Sequence, residues 1–149
     1  GRRKKDMLNL TNKTATNEYE KQALEFCRKY GITIKAKEGV RPHKTFGGID
    51  YYITVLRNKK QWSFWFTDSI ANKERGGKPT AYDILACLEK YEVANNLHDF
   101  CMEFGYNEFN EETFREDKKS KRIWKAVQNE YNNVVRMFGD CLNELCEIQ

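Results

Sequence analysis

The chain has two histidines, two prolines, no Cys-x-x-Cys pair and no apolar run near the ~20 residues that a membrane-crossing helix needs. Each shortage excludes something. With only His43 and His98, the sole short metal-ligand spacing is His98-x-x-Cys101. A structural zinc site needs four ligands, and the neighbours here are apolar. We therefore expect no metal and no cofactor, with Cys101 serving as a small core residue. The five cysteines, Cys27, Cys87, Cys101, Cys141 and Cys146, are odd in number and scattered through helical patterns. That usage suits reduced thiols in a cytoplasm rather than a disulfide framework. No signal-peptide pattern is present, and we expect a cytoplasmic protein with no membrane segment.

Catalytic spacings are missing as well. A metal-dependent nuclease of the restriction type needs an acid and then an acid-x-lysine on adjoining strands. Asp50 lies on a strand pattern, but the later Asp117-x-Lys119 falls in a charged helical stretch. No serine or cysteine sits in a strand-to-helix elbow. Gly76-Gly77-Lys78-Pro79-Thr80 has the look of a phosphate loop, yet Pro79 interrupts it and the first glycine of that motif is absent. We expect a binding protein, not an enzyme.

Net charge is +4, and Arg2, Arg3, Lys4 and Lys5 account for all of it, so residues 6–149 sum to zero. The balance is uneven along the chain. Residues 32–78 carry ten basic and four acidic residues, a charge of +6, whereas residues 79–149 carry eight basic and fourteen acidic, a charge of −6. Either the two halves neutralise each other, or the sheet side presents a basic patch to an anionic partner.

At 149 residues the chain suits one domain able to bury roughly 70% of its unfolded surface. Residues 1–16 read as a mobile basic and polar lead-in and 17–149 as a single α+β domain. A helix capped by Thr16 or Asn17 runs to Tyr30, with Tyr19, Ala23, Leu24, Phe26 and Cys27 on its stripe and Gly31 as its stop. Ile32, Ile34 and Ala36 alternate with Thr33, Lys35 and Lys37, which predicts a strand; Glu38 to Gly48 reads as a loop. Ile49 to Arg57 and Gln61 to Asp68 predict a hairpin joined by Asn58-Lys59-Lys60. One face of it carries Ile49, Tyr51, Ile53, Val55, Trp62, Phe64 and Phe66. The other face carries Tyr52, Leu56 and Trp65 among polar residues. We expect the C-terminal helices to cover that second face too; the alternative is that Tyr52 and Trp65 mark a contact surface.

The grammar changes at Pro79, from period two to periods of three and four. Pro79 suits a first helical turn, with Ala81, Ile84, Leu85 and Leu88 buried to about Tyr91. A short helix is expected over about Asn96 to Phe104. A long one carries Ile123, Trp124, Val127, Tyr131, Val134, Val135, Phe138, Leu142 and Leu145, passing through Gly139. The expected architecture is an N-terminal helix, a three-stranded antiparallel sheet, and C-terminal helices of which the long one packs on the sheet.

Helix, three strands and helix is also the element order of the double-stranded-RNA-binding domain. Arg41-Pro42-His43-Lys44 resembles that family's loop between its first two strands, and Lys73, Arg75 and Lys78 precede the following helix as its lysines do. The Lys-Lys-x-Ala signature is replaced by Lys78-Pro79-Thr80-Ala81, and residues 93–149 are left unaccounted for. This resemblance implies nucleic-acid binding through Arg41, His43, Lys44, Lys73, Arg75 and Lys78.

A second resemblance covers residues 49–149. Pro79-Thr80-Ala81-Tyr82-Asp83-Ile84-Leu85-Ala86-Cys87-Leu88-Glu89-Lys90-Tyr91, then Asp99-Phe100-Cys101 and Glu103-Phe104-Gly105-Tyr106, then Val134-x-Arg136-x-Phe138-Gly139 and Glu147-Ile148-Gln149, are similar to a group of small proteins encoded by bacteriophages and prophages. It implies an accessory protein of the bacterial cytoplasm that binds a host protein or complex, a host-defence complex among them. Tyr52, Trp65 and Tyr106 would then be the anchors of a protein partner.

Overall fold

The computed structural model describes residues 7–42, 49–67, 78–89 and 118–148. The chain divides into two compact units, Gly1–Leu85 with Glu147–Gln149, and Ala86–Cys146. The first holds four strands in one antiparallel sheet of order β1-β2-β3-β4: β1 is Leu8–Asn9, β2 Ile32–Pro42, β3 Ile49–Arg57 and β4 Lys60–Thr67. It also holds helix α1, Glu18–Tyr30. The fold is α+β, with one strand more than the three expected.

That extra strand lies in the stretch read as a lead-in. Leu8 pairs with Ala36 and Asn9 with Lys35, and the Leu10 amide donates to the Ile34 carbonyl at 2.8 Å. Leu10 is fully buried, which is what ties the segment down. A two-residue strand is too short to show alternation, so no periodicity betrays it. β2 likewise runs further than expected, through Arg41 and Pro42, because the chain absorbs an irregularity between Glu38 and Pro42 and then rejoins β3 at Ile49. β3 and β4 meet in a two-residue turn in which Asn58 adopts φ 55, a left-handed conformation asparagine tolerates.

α1 starts on an asparagine cap braced by Thr16. The Glu20 amide donates to Asn17 Oδ1 at 2.8 Å, while the Thr16 hydroxyl donates to Glu20 Oε2 at 3.1 Å. Glu20 is therefore buried, and the apolar stripe runs through Ala23, Leu24, Phe26 and Cys27 from that starting point. Tyr19, expected on the stripe, is exposed by 55% and instead rests its ring 5.3 Å from that of Tyr82. At about 100° per residue Tyr19 keeps the phase of Ala23 and Phe26, so its exposure goes with its place in the first turn of α1 and not with its angle about the axis. At the other end Tyr30 is gripped from the sheet: Arg57 Nε donates to its carbonyl at 3.0 Å, with the guanidinium 5.5 Å from the ring centre.

The buried face of the sheet is set by register. Ile34, Val55 and Trp62 form one row across β2, β3 and β4; Ala36, Ile53 and Phe64 form the next. Ile34, Ala36, Ile53 and Val55 are completely buried, as are Ala81, Ile84, Leu85 and Leu88 of α2, Ala81–Glu89. Pro79 lies two residues before α2 rather than in its first turn. Thr80 is the cap: the Asp83 amide donates to Thr80 Oγ1 at 3.3 Å and the Thr80 amide to Asp83 Oδ2 at 2.9 Å. The expected short helix over 96–104 lies outside the described residues.

In the second unit the long helix is interrupted. α3, Lys118–Phe138, ends where the Cys141 amide turns to the Phe138 carbonyl at 2.8 Å, a three-residue step, and α4, Leu142–Cys146, follows. Val127, Val134, Met137, Phe138, Cys141 and Leu145 are buried, whereas Val135 is 39% exposed. The expected continuous stripe is thus re-phased by the turn at Gly139 and Asp140. No helix among the described residues is long and apolar enough to cross a membrane.

Gly31 closes α1 at φ 65, with its amide donating to the Cys27 carbonyl and open space where a side chain would stand. The cost of a substitution there is conformational only. Gly31→Ala is expected to lower the free energy of unfolding by about 1 kcal/mol, and Gly31→Asn by less, in urea denaturation; equal stability of all three chains would contradict this account of the cap.

Candidate binding face

The register that buries Ile34, Ile53 and Val55 turns the intervening residues the other way. Lys35 and Lys37 of β2, Asp50, Tyr52, Thr54 and Leu56 of β3, and Gln61, Ser63, Trp65 and Thr67 of β4 share this second face. Its central row is Lys37, Tyr52 and Trp65; the adjacent row is Lys35, Thr54 and Ser63. Rows lie ~7 Å apart along the strands, and neighbouring strands ~4.8 Å apart.

We expected this face to be buried, yet its two aromatic residues are exposed. Tyr52 is 38% exposed and Trp65 63% exposed. The two rings are cross-strand partners with centroids 5.1 Å apart, tilted at 56°. That tilted arrangement is the favoured contact of two aromatic rings, and it leaves a broad surface of the indole open to solvent.

Beneath the pair the backbone comes close. Gly39 sits where β2 begins its irregularity, and a Cβ at this position would lie 2.9 Å from the Asp50 carbonyl oxygen and 3.5 Å from Trp65 Cζ3. The lack of a side chain opens a groove of about 290 Å³ lined by Lys37, Glu38, Gly39, Tyr52 and Trp65. Glu38 pairs with Tyr51, so its register assigns it to the opposite face.

Polar groups on this face are largely engaged with one another. The Thr67 hydroxyl donates to Asp50 Oδ1 at 2.6 Å, and the Thr54 and Ser63 hydroxyls are 3.2 Å apart. Asp50 is the one acid that register places here among the described residues, and it already accepts a hydrogen bond. Lys35 and Lys37 give the face a positive flank.

A second cavity, about 350 Å³, lies beside the C-terminal end of α1, with Asn9, Thr11 and Cys27 on its wall. Here Asn9 Oδ1 accepts from the Thr11 amide at 3.0 Å and the Thr11 hydroxyl at 2.7 Å. These bonds hold the turn after β1, which is a structural use.

The sequence-derived basic set is not gathered among the described residues. Arg41 falls in β2 rather than in a loop, and Lys78 is exposed just before Pro79. His43, Lys44, Lys73, Arg75 and Tyr106 lie outside the described residues, as do His98 and Cys101. Among the described residues no group of three or more His, Cys, Asp or Glu could hold a metal ion. Lys35, Lys37 and Gly39 were not singled out from sequence. The alternation of Lys35 and Lys37 with Ile34 and Ala36 already put them opposite the core, but only the register sets them beside Tyr52.

No family model matches the chain, and neither the curated proteins nor the solved structures contain a match to it.

Gly39→Ala is expected to destabilise the protein by about 1–2 kcal/mol through the forced contact with the Asp50 carbonyl. Measured by chemical denaturation, the same loss should appear in a Trp65→Ala background, since the backbone is the nearer obstacle. A loss that vanishes when Trp65 is truncated would place the conflict at the indole instead.

Proposed function

We propose that this chain is a phage-encoded accessory protein of the bacterial cytoplasm that acts by binding, with no chemistry or cofactor of its own. Its working surface is the open face of the sheet. The observation that carries this reading is the Tyr52–Trp65 pair, held side by side by strand pairing and left in solvent. Leaving a tryptophan in water forgoes the ~25 cal/mol per Å² that its burial would contribute. Tryptophan and tyrosine are also the side chains that most often dominate binding energy at an interface.

The resemblance to phage proteins supports a host protein or complex as the partner, including a component of host defence. A second reading, nucleic acid, is favoured by Lys35 and Lys37, which share the face with the aromatic pair. Both readings use the same residues.

Placing the photo-crosslinking residue p-benzoylphenylalanine at position 65, in bacterial cells that produce the full chain, is expected to give a discrete adduct on irradiation. The same residue at the exposed position of Lys13 serves as the control. No adduct at position 65, or identical adducts at both positions, would overturn the assignment of this face.

A further inference from the structure

We propose that the face formed by Lys35, Lys37, Tyr52 and Trp65 binds single-stranded nucleic acid, an unpaired base stacking on the Trp65 indole while the phosphates run along the lysines of β2. This rests on the open sheet face being the working surface and names what occupies it.

Three observations favour this occupant over a protein. The first is charge. The one carboxylate that register places on the face, Asp50, is bonded to Thr67, while Lys35 and Lys37 stand on the neighbouring strand, within a segment of net charge +6. An anionic chain meets two lysines here, against Glu38 as the one other carboxylate at the groove. The second is shape. Trp65 is 63% exposed and stands on a sheet, where a planar base can lie against it. The third is spacing. Lys35 and Lys37 lie two residues apart on one strand, ~7 Å by strand geometry, a separation that successive phosphates of an extended chain can match. Lys37 is in the same cross-strand row as Trp65, so a nucleotide with its base on the indole brings its backbone toward that lysine.

The same geometry selects single strands over duplexes. Bases within a duplex are already stacked and do not offer a face, whereas an unpaired base gains a stacking partner whatever its identity. The groove over Gly39 gives the stacked ring depth: about 290 Å³ of free space adjoins Trp65 and Tyr52. In the neighbouring row Thr54 is buried and its hydroxyl is bonded to that of Ser63, so these two residues stay outside the site.

The test is fluorescence anisotropy of the full chain with labelled oligo-dT, oligo-rU and duplex DNA, each about 20 nucleotides long, at ~50 and ~200 mM salt. The DNA and RNA strands distinguish the two sources of an unpaired base. The expected result is binding of at least one single strand in preference to the duplex, weakened about tenfold or more by Trp65→Ala and largely retained by Trp65→Phe. Replacing both lysines, Lys35→Gln with Lys37→Gln, should reduce the slope of log affinity against log salt by ~1.4, two phosphate contacts at ~0.7 each. Because this pair of changes leaves the aromatic residues in place, it tests the proposal even if the Trp65 variant folds poorly. No single-strand binding at ~50 mM salt, a preference for the duplex, or full affinity in Trp65→Ala with an unchanged slope in the lysine variant would overturn it. A protein adduct at position 65 without oligonucleotide binding would retain the working surface and overturn this occupant; no adduct of any kind would overturn both.

Discussion

Everything described in the first unit depends on the register of β2 against β3. Ile34 must stand opposite Val55, and Ala36 opposite Ile53, for one face of the sheet to be dry. A slip of β2 by one residue would turn that strand over, driving Lys35 and Lys37 toward the core and moving Ile32, Ile34 and Ala36 into water. Full burial of a large aliphatic side chain is worth about 1.5–3 kcal/mol, so a slip that exposes Ile32 and Ile34 and buries two lysines is prohibitive. The Tyr52–Trp65 pair is a consequence of the same arithmetic: once Ile53 and Phe64 face inward, their neighbours face outward and meet.

The remaining local structure supports that register from its ends. The two-residue turn at Asn58 and Lys59 sets Arg57 opposite Lys60 and so sets every later pair of the hairpin. Arg57 then reaches the Tyr30 carbonyl, linking the last turn of α1 to the sheet. Gly31 allows the chain to leave α1 and enter β2 without an intervening loop, so the helix and its neighbouring strand are positioned by a single residue. At the far end of β2 the irregularity after Glu38 breaks perfect pairing where the aromatic pair lies, and Gly39 lets the backbone pass close to Asp50 and Trp65. The groove is thus a product of one missing side chain and one imperfect stretch of pairing.

The strong periodicities were legible before any coordinates. Alternation in Ile49 to Arg57 and Trp62 to Phe66 predicts the hairpin, Asn17 and Gly31 bound α1, and the four buried residues of α2 follow from their spacing of three and four. What escaped had weak local signal or a competing one. β1 is two residues long, the end of β2 carries Gly39 and Pro42, which read as loop, and Gly139 lies within a stripe whose phase shifts only slightly across it. Tyr52 and Trp65 are exposed although large aromatic residues are usually buried, a tendency that says nothing about a particular position.

Which residues alternate and which recur helically is written in the chain alone, because side-chain direction in a strand or helix follows from backbone geometry. The chain therefore placed Tyr52 and Trp65 on one face of a hairpin and Lys35 and Lys37 on one face of a strand. Whether that face would be covered, and whether the lysines would stand beside the rings, were decided only by tertiary structure. Both depend on pairing between segments distant in the chain, and strand pairing is specified by the summed burial of a whole face, to which no single residue holds the key.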